Sequence, residues 1–379
     1  MIYLDHNATT PIDPGVRAAM EPFLSEEWGN ASSSYSFGSR LRTVVEKARL
    51  QVAALLNASP DEIVFTSGGT EANNAAIHAA LLTDPSRRHV VTSAVEHSSV
   101  LAYCQWLQSR GFPVTVVGVT ADGSLDCAAL EKAITKDTAV VSVMWANNET
   151  GVLFPVERLA QLCRELAVPF HSDAVQVAGK RPIDLKATPI TYLGLAAHKF
   201  NGPKGIGVLF VRRGAHFTPL IHGGHQERGR RGGTEDVAAI VGLGVAAEKA
   251  AAAATHYAKT VSPRRDRLEN QLLQQCGPGR IHGQSEPRIA NTSNISFPGI
   301  GADGLLMMLD KYDVYASAGS ACLADSSEPS HVIAAMRGSS RIPRDFIRFS
   351  LATTTTDEQI TSAIERIAEC VTSLRLLAT

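Results

Sequence analysis

Residues 192–205 read YLGLAAHKFNGPKG. The apolar run at Tyr192–Ala196 predicts a β-strand, and the glycines and proline that follow predict a loop. Lys199 therefore comes almost directly after a buried strand. Ligands of parallel-stranded α/β proteins bind beyond the carboxyl ends of the strands, so we interpret Lys199 as a candidate site residue. The alternative, a solvated surface charge, is the ordinary fate of a lysine.

Further short apolar runs, most of them rich in β-branched residues, predict the rest of this sheet. The predicted strands are Ile63–Thr66, Val90–Ser93, Val114–Val117, Ala139–Met144, Phe170–Ser172, Tyr192–Ala196 and Gly207–Val211. Helical patterns separate most of them, at Leu41–Leu56, at Pro155–Ala167 and after Asp126 as N-cap. We therefore predict an α/β fold in which helices flank a mostly parallel sheet.

A chain of 379 residues exceeds the size at which a single core keeps growing, so we expect two domains. The alanine-rich stretch Val237–Ala254 predicts a long connecting helix. We expect a large domain at residues 13–256. Residues 1–12 and 257–379 would form a smaller α+β C-terminal domain.

Composition excludes several classes of protein. The chain is 44% hydrophobic and 19% charged with a net charge of -1, which argues against disorder and against nucleic-acid binding. The N-terminus lacks the pattern of a secretory signal, and no run of about 18 apolar residues occurs, so we expect a cytoplasmic protein without a membrane partner. The six cysteines are scattered, which argues against a metal site or a disulfide framework.

Polar residues follow the predicted strands. The turn from Thr66 to Glu71, which contains Gly69 and Thr70, suits a phosphate, although such turns are also plain tight connections. His97 follows the next strand and could lie against a flat ring or be structural. Asn148, in a turn-forming stretch, could contact a ligand's oxygens.

Asp173 ends a buried strand, where it needs a cationic or hydrogen-bonding partner; a protonated pyridine nitrogen would serve, and a helix N-cap is the alternative. A lysine freed of its proton by burial or by a neighbouring cation can form an imine. A phosphate turn, an imidazole, Asp173 and Lys199 at consecutive strand ends are together the parts of a pyridoxal-phosphate site.

Two features fall in the predicted C-terminal domain. Cys322 ends the stretch ASAGSAC at residues 316–322 and precedes a polar segment, which predicts a surface loop; a small apolar filler is the alternative. Arg344 and Arg348 lie in residues 341–350, and Arg348 alternates with apolar neighbours as in a strand. A half-buried guanidinium suits a carboxylate, or else a structural salt bridge.

The chain resembles the cysteine desulfurases along nearly its whole length. The resemblance rests on LDHNATTP at residues 4–11, Thr66–Glu71, Glu96–His97, residues 147–151, the Asp173 segment, His198–Lys199, Gly223–Thr234 and residues 319–332. GSAC followed after a short gap by EPSHV is similar to the long-loop desulfurases of nitrogen fixation and iron–sulfur cluster assembly. The other motifs are shared with class V aminotransferase-fold enzymes. The resemblance implies the fold-type I architecture of pyridoxal-phosphate enzymes.

The resemblance also implies roles. Lys199 would hold pyridoxal 5'-phosphate as a Schiff base, with Asp173 on the ring nitrogen, His97 against the ring and Gln176 on the phenolic oxygen. Gly69, Thr70 and His198 would hold the phosphate, with Thr234 from the second subunit of a homodimer. Asn148 and Arg348 would hold the carboxylate of L-cysteine. Cys322 would take the sulfur as a persulfide, leaving L-alanine, and pass it to an iron–sulfur scaffold or another acceptor protein.

The chain also departs from the family pattern. Ala196 stands where the family usually carries serine, which removes one phosphate hydroxyl and should weaken cofactor retention about tenfold to a hundredfold. Tyr35, Asp236 and His225 are further departures. Two other functions stay open from sequence: another pyridoxal-phosphate aminotransferase or lyase of this fold, and an adaptor that has kept the fold without the chemistry.

Overall fold

The structure is a computed structural model that describes residues 1–319, 330–338 and 344–378. The strands are β1 Ile2–Tyr3, β2 Ile63–Thr66, β3 His89–Ser93, β4 Val114–Val117, β5 Thr138–Ser142, β6 Phe170–Asp173, β7 Tyr192–Ala196, β8 Gly207–Val211, β9 Arg280–Ile281, β10 Thr292–Ser296, β11 Val314–Tyr315 and β12 Phe346–Ser350. The α-helices are α1 Pro14–Ser25, α2 Ser36–Leu55, α3 Gly69–Thr83, α4 Ser98–Ser109, α5 Cys127–Ala133, α6 Val156–Glu165, α7 Val237–Gln275, α8 Ala302–Lys311, α9 His331–Arg337 and α10 Asp357–Ala378.

The large sheet has seven strands in the order β2-β8-β7-β6-β5-β3-β4. Only β8 runs antiparallel to its neighbours, so the predicted α/β class and mostly parallel sheet are confirmed. The strands β2, β5, β6, β7 and β8 are buried at every residue, as expected of a sheet covered on both faces by helices. The carboxyl ends of the strands other than β8 meet at one edge, where the polar residues gather.

The predicted elements differ from the observed ones mainly at their ends. The predicted strand Ala139–Met144 is wrong at its end, because β5 stops at Ser142 and the apolar residues beyond it form a buried loop. The helix predicted for Leu41–Leu56 starts five residues earlier, at Ser36. The helix predicted for Pro155–Ala167 is shorter, at Val156–Glu165. Asp126 is an N-cap as predicted, since its side chain accepts from Ala129 N–H.

Helix α7 is longer than the alanine-rich stretch suggested. It has 39 residues and passes through Pro263, although proline normally ends or kinks a helix. By length and composition α7 could cross a membrane, but 67% of that apolar window is buried inside the protein, as in the core helix of a globular domain. It packs against α1 and α2 near its start and against α10 further along.

A second core forms around a small antiparallel sheet of order β12-β10-β9. The first residues of the chain join this core: β1 pairs in parallel with β11, and Asp5 bridges to Ser350. Ile2 and Leu4 are buried among the side chains of α7, α8 and α10. The N-terminal segment thus passes from the second core to the edge of the large sheet, beside the polar strand ends.

Candidate active site

A cavity of about 230 Å³ lies at the carboxyl edge of the large sheet, where the N-terminal segment and β12 close it. Its lining contains most of the residues that the sequence proposed for the site. They are Gly69, Thr70, His97, Asn148, Asp173, Gln176, His198, Lys199 and Arg348. Thr234 is exposed and does not line this cavity, and Cys322 lies outside the described residues.

Lys199 lies just beyond β7, in a single 3-10 turn, and is half-buried. Its Nζ donates to the carbonyl oxygens of Asn7 at 2.5 Å and of Ala8 at 2.8 Å. The N-terminal segment therefore holds the amine at the mouth of the cavity. Neighbouring His198 is kept neutral, because burial first and then the charges of Lys199 and Lys204 lower its pKa to about 4.

One side of the cavity, which we call the sheet wall, consists of Asn73, His97, Ser99 and Asp173. The Asn73 amide donates both its hydrogens, to Asp173 Oδ2 at 2.7 Å and to the Ser99 hydroxyl at 2.9 Å. That hydroxyl lies 2.9 Å from His97 Nδ1, which also accepts from the Ser99 N–H at 3.2 Å. Asp173 Oδ1 accepts from Val175 N–H at 2.9 Å. A single buried amide therefore sets the positions of the carboxylate and the imidazole.

One alternative raised by the sequence is also observed in the sheet wall, because His97 acts as the N-cap of α4. The helix N-cap considered for Asp173 is not observed: residues 175–180 form turns, and Asp173 Oδ1 accepts from Val175 N–H. Both side chains nevertheless line the cavity. A local hydrogen bond fixes the orientation of a site residue and does not exclude a role in binding.

The turn before α3 is suited to an anion. Gly68 is the N-cap and, with no side chain, makes no capping bond, so the first N–H groups of α3 remain available among the described residues. A Cβ at Gly69 would lie 2.8 Å from Val175 Cγ2, which explains the glycine there. His198 Nδ1 lies 3.1 Å from the Thr9 hydroxyl beside this turn. Ala196 lines the cavity with a methyl group where the family carries a hydroxyl.

Asn7, Asn148 and Arg348 form another part of the lining. Together with Asp5, the ion-pair partner of Arg348, we call these residues the cross-lobe wall. The sequence suggested a half-buried Arg348, but its side chain is 2% exposed. Its Nη2 pairs with Asp5 Oδ1 at 2.6 Å and its Nη1 donates to the Asn148 carbonyl at 3.2 Å. Arg348 Nε has no partner among the described residues. The salt-bridge alternative is therefore real, and it leaves a donor for a ligand.

Asn7 joins the cross-lobe wall to residues beside the large sheet and in the small sheet. Its side-chain amide donates to the carbonyl of Asn148 at 3.1 Å and to the Thr292 hydroxyl at 2.8 Å. Its backbone carbonyl accepts from Lys199 and, at 3.1 Å, from Gln176 Nε2. Asn7 belongs to the segment LDHNATTP, but no role was predicted for it. The feature that could have pointed to Asn7 is a polar side chain close in sequence to Leu4, which is buried.

Two described residues, Ser317 before and Ser330 after the segment 320–329 that contains Cys322, contact site residues or their neighbours. Ser317 forms a two-way backbone bridge with Arg348. Ser330 Oγ donates to Glu149 Oε2 at 2.5 Å. The other oxygen of that fully buried carboxylate has no partner in the described part of the chain. The described residues that flank Cys322 are thus bonded directly to the cross-lobe wall and to the residue after Asn148.

The other cysteines are poorly suited to nucleophilic chemistry. All five that the structure describes are free thiols, and Cys104, Cys163, Cys276 and Cys370 are buried. Burial raises the pKa of Cys104 and of Cys163 to about 12 and that of Cys276 to about 11, which keeps these thiols protonated. Cys127, which is partly exposed, also has a pKa raised by burial.

Comparison with known proteins agrees with this geometry. The family model described as aminotransferase class-V matches residues 2–362. A protein named cysteine desulfurase from Nostoc sp. PCC 7120 is 48% identical over 378 residues, which cover 100% of this chain and 94% of the relative. Cysteine desulfurase NifS of Azotobacter vinelandii is 47% identical over 375 residues, covering 99% of this chain and 93% of that protein.

Solved structures give the same result. A NifS-like protein superposes with a TM-score of 0.92 at 36% identity, covering 98% of this chain and 100% of its own. SspA in complex with cysteine superposes with a TM-score of 0.82 at 34% identity, covering 94% of this chain and 100% of its own. The chain therefore belongs to the class-V aminotransferase family, within the cysteine desulfurases.

Proposed function

We propose that this protein is a pyridoxal-phosphate-dependent cysteine desulfurase that converts L-cysteine to L-alanine and takes the sulfur onto Cys322 as a persulfide. The observation that carries the proposal is one cavity that brings together Lys199 and Asp173, at the ends of neighbouring strands, with Arg348 from β12. The family resemblance assigned these residues to the cofactor amine, the ring nitrogen and the substrate carboxylate. Relatives with 47–48% identity bear the name cysteine desulfurase.

The residues of the cavity fit pyridoxal 5'-phosphate. Asp173, held by Asn73, would pair with the ring nitrogen, and His97, held by Ser99, would lie against the ring. Gly69 and Thr70, at the uncapped start of α3, suit the phosphate, with His198 nearby. When bound, this cofactor withdraws electrons from the substrate carbon atoms. Lys199 Nζ would hold the cofactor. Once the substrate has displaced this amine from the cofactor, the amine would move a proton at the substrate carbon.

Arg348 and Asn148 would bind the substrate carboxylate. Arg348 Nε is buried without a partner among the described residues, so an incoming carboxylate oxygen would satisfy a donor that otherwise costs free energy. Asp5 holds the guanidinium in place from the other side. Binding through a fixed guanidinium orients the substrate, and orientation lowers the barrier of the chemical step.

Cys322 would accept the sulfur. Its thiolate attacks the substrate sulfur, an S–S bond forms, and the Cβ–S bond of the substrate breaks. A proton then replaces sulfur on Cβ, which gives alanine. The hydrogen lost from the substrate thiol balances the one gained at carbon, so no external oxidant is needed.

The remaining parts of the proposal concern assembly and context. We propose a homodimer in which exposed Thr234 reaches the phosphate of the other subunit, and the exposed side chains of Trp28 and Tyr35 support a contact surface. The two cores support domains at residues 13–256 and at 1–12 with 257–379, although α7 continues across that boundary. The sulfur acceptor would be an iron–sulfur scaffold or a similar protein in the cytoplasm.

The test uses the purified protein with pyridoxal phosphate and L-cysteine. Wild type should show the absorbance band of a bound cofactor and release alanine. Lys199→Ala should lower the rate of alanine release at least about a thousandfold, because the amine that holds the cofactor and moves protons is gone. Cys322→Ser should keep the band and lose persulfide formation.

Cys127→Ser is the matched control, since Cys127 is the partly exposed cysteine among the described ones, and it should behave as wild type. A keto acid as product, in place of alanine, would show transamination instead. Persulfide formation at the full rate in Cys322→Ser would overturn the assignment of the acceptor. Protein that binds no pyridoxal phosphate at any concentration would overturn the proposal as a whole.

A further inference from the structure

A second lysine, Lys180, lies buried behind the candidate active site. It follows the Asp173–Gln176 turn and is only 5% exposed. Its Nζ donates to Gln176 Oε1 at 2.9 Å and approaches Asn7 Oδ1 at 3.4 Å. Gln176 lines the active-site cavity, whereas Lys180 lines a neighbouring cavity on the other side of Lys199. The ammonium thus contacts the site through a single intervening side chain.

The surroundings of Lys180 are cationic. No acidic side chain of the described residues forms an ion pair with it, and its partners are two amide oxygens. Burial first, and then the charges of Lys199 and Arg348, lower the pKa of Lys180 to about 7. A buried cation without a carboxylate is costly and needs another source of stabilisation. An anionic group in the adjacent cavity would provide it.

Lys180 fixes the orientation of the Gln176 amide. An ammonium group donates and never accepts, so the amide oxygen of Gln176 must face it. The amide nitrogen then lies at the other end, where it donates one hydrogen to the Asn7 carbonyl at 3.1 Å. Its second hydrogen has no partner among the described residues, at a position that lines the cavity. Gln176 is thereby held as a donor towards an anionic oxygen.

Lys180 also affects Lys199 through its charge, because two nearby ammonium groups disfavour each other's protonated form. Other ionisable groups face Lys199 as well, and they belong to several elements. Those that line the two cavities with Lys199 are His6, Asp13, His97, Asp173, His198, Lys249, Tyr257 and Arg348. Lys249 and Asp13 pair with each other. Arg348 and Asp5 neutralise each other, and burial keeps His6 and His198 neutral by lowering the pKa of each to about 4. In its protonated form, Lys180 therefore adds a positive charge near the amine.

We propose that Lys180 is a positioning residue of the desulfurase site: it holds Gln176 as a hydrogen-bond donor to the cofactor's phenolic oxygen and favours the unprotonated amine of Lys199. This inference rests on the proposed function. It goes beyond the proposed function because it assigns a task to a residue that need not touch cofactor or substrate.

The decisive measurement is a pH titration of the absorbance of the bound cofactor in Lys180→Met, which keeps the length of the side chain and removes its charge. Loss of a neighbouring positive charge stabilises the protonated form, so the midpoint should rise by about one pH unit. The dissociation constant for pyridoxal phosphate, measured in the same preparation, should increase about tenfold because Gln176 loses its fixed orientation.

Two further variants separate the effects. Lys180→Gln can still donate to Gln176 Oε1 but carries no charge, so it should retain more of the cofactor affinity and still shift the midpoint. In a double variant, Lys180→Met should weaken cofactor binding little once Gln176→Ala is present, because both act through the same contact. Lys249→Met is the matched control: it lines the same second cavity, pairs with Asp13 and should leave the midpoint unchanged.

The inference fails if Lys180→Met and Lys180→Gln both titrate and bind cofactor as the Lys249→Met control does. The inference also fails if the dissociation constant of the double variant rises by the product of the factors measured for the two single variants. Either result, with a wild type that binds pyridoxal phosphate and releases alanine, leaves the proposed function intact. A wild type without cofactor binding would instead remove the basis of both.

Discussion

The two walls of the cavity are built in different ways. The sheet wall gathers residues that follow successive strands, and the single amide of Asn73 links Asp173 to His97 through Ser99. The cross-lobe wall joins Asp5 to Arg348, residues 343 positions apart, through a buried ion pair. The sheet fixes the first wall wherever the sheet forms. The second exists only when the N-terminal segment and β12 dock together. If Arg348 binds the substrate carboxylate as proposed, that binding depends on the packing of the two cores.

Breaking the cross-lobe wall should have the largest effect. Arg348→Ala should lower kcat/KM for L-cysteine about a hundredfold to a thousandfold, because a buried charge-assisted contact to the substrate carboxylate is lost and Asp5 is left unpaired. The cofactor absorbance should change little, since the sheet wall is untouched. Steady-state kinetics and the absorbance spectrum of the same sample check both parts.

Arg344→Ala is the control for that experiment. Arg344 lies four residues before Arg348, and its exposed side chain pairs with Asp303. This variant should leave kcat/KM within about twofold of wild type, as exposed ion pairs contribute little. A loss of less than tenfold in Arg348→Ala would contradict the assignment of this arginine to the substrate carboxylate.

The sequence could predict the sheet wall better than the cross-lobe wall, for a physical reason. Strand ends are visible as the end of an apolar run, and parallel strands bring those ends together, so Asp173 and Lys199 could be found. Asn7 contacts Asn148, which is more than 140 positions away, and Lys180 is buried. Neither the distant contact nor the burial leaves a local pattern in the sequence. The substrate role proposed for Arg348 came from the family resemblance and not from periodicity.

The same distinction explains the errors in the fold. The end of β5 was placed two residues late, because Val143 and Met144 are as apolar as the strand although they belong to a buried loop. The continuation of α7 beyond Ala254 was missed, because Pro263 and a run of charged residues usually end a helix, and packing against the second core overrides that preference.

Disturbing the sheet wall should have an intermediate effect and a different signature. Asn73→Ala removes the donor to Asp173 and the link to Ser99, so the dissociation constant for pyridoxal phosphate should rise about tenfold to a hundredfold. KM for L-cysteine, measured at saturating cofactor, should stay within about threefold. Cofactor titration by absorbance, followed by kinetics at saturation, separates the two quantities.

Asn74→Ala provides the comparison, because Asn74 donates to the backbone carbonyl of Ser99 and has no bond to Asp173. It should weaken cofactor binding much less than Asn73→Ala. Equal losses in both variants would mean that the stability of α3, and not the orientation of Asp173, accounts for the effect.

The smallest effect is expected at Ser330, the first described residue after the segment that contains Cys322. Ser330→Ala removes a 2.5 Å hydrogen bond to Glu149 Oε2 and leaves that buried carboxylate without this partner. Cofactor absorbance and KM for L-cysteine should be preserved, while the rate of persulfide formation in a single turnover should fall about threefold to tenfold, because the contact that positions one end of the segment is lost. Ser330→Thr keeps a hydroxyl at the same place and at the N-cap of α9, so it should restore most of the rate. If Ser330→Thr were as slow as Ser330→Ala, the bond to Glu149 would not be the cause. If both were as fast as wild type, sulfur transfer would not depend on this anchor.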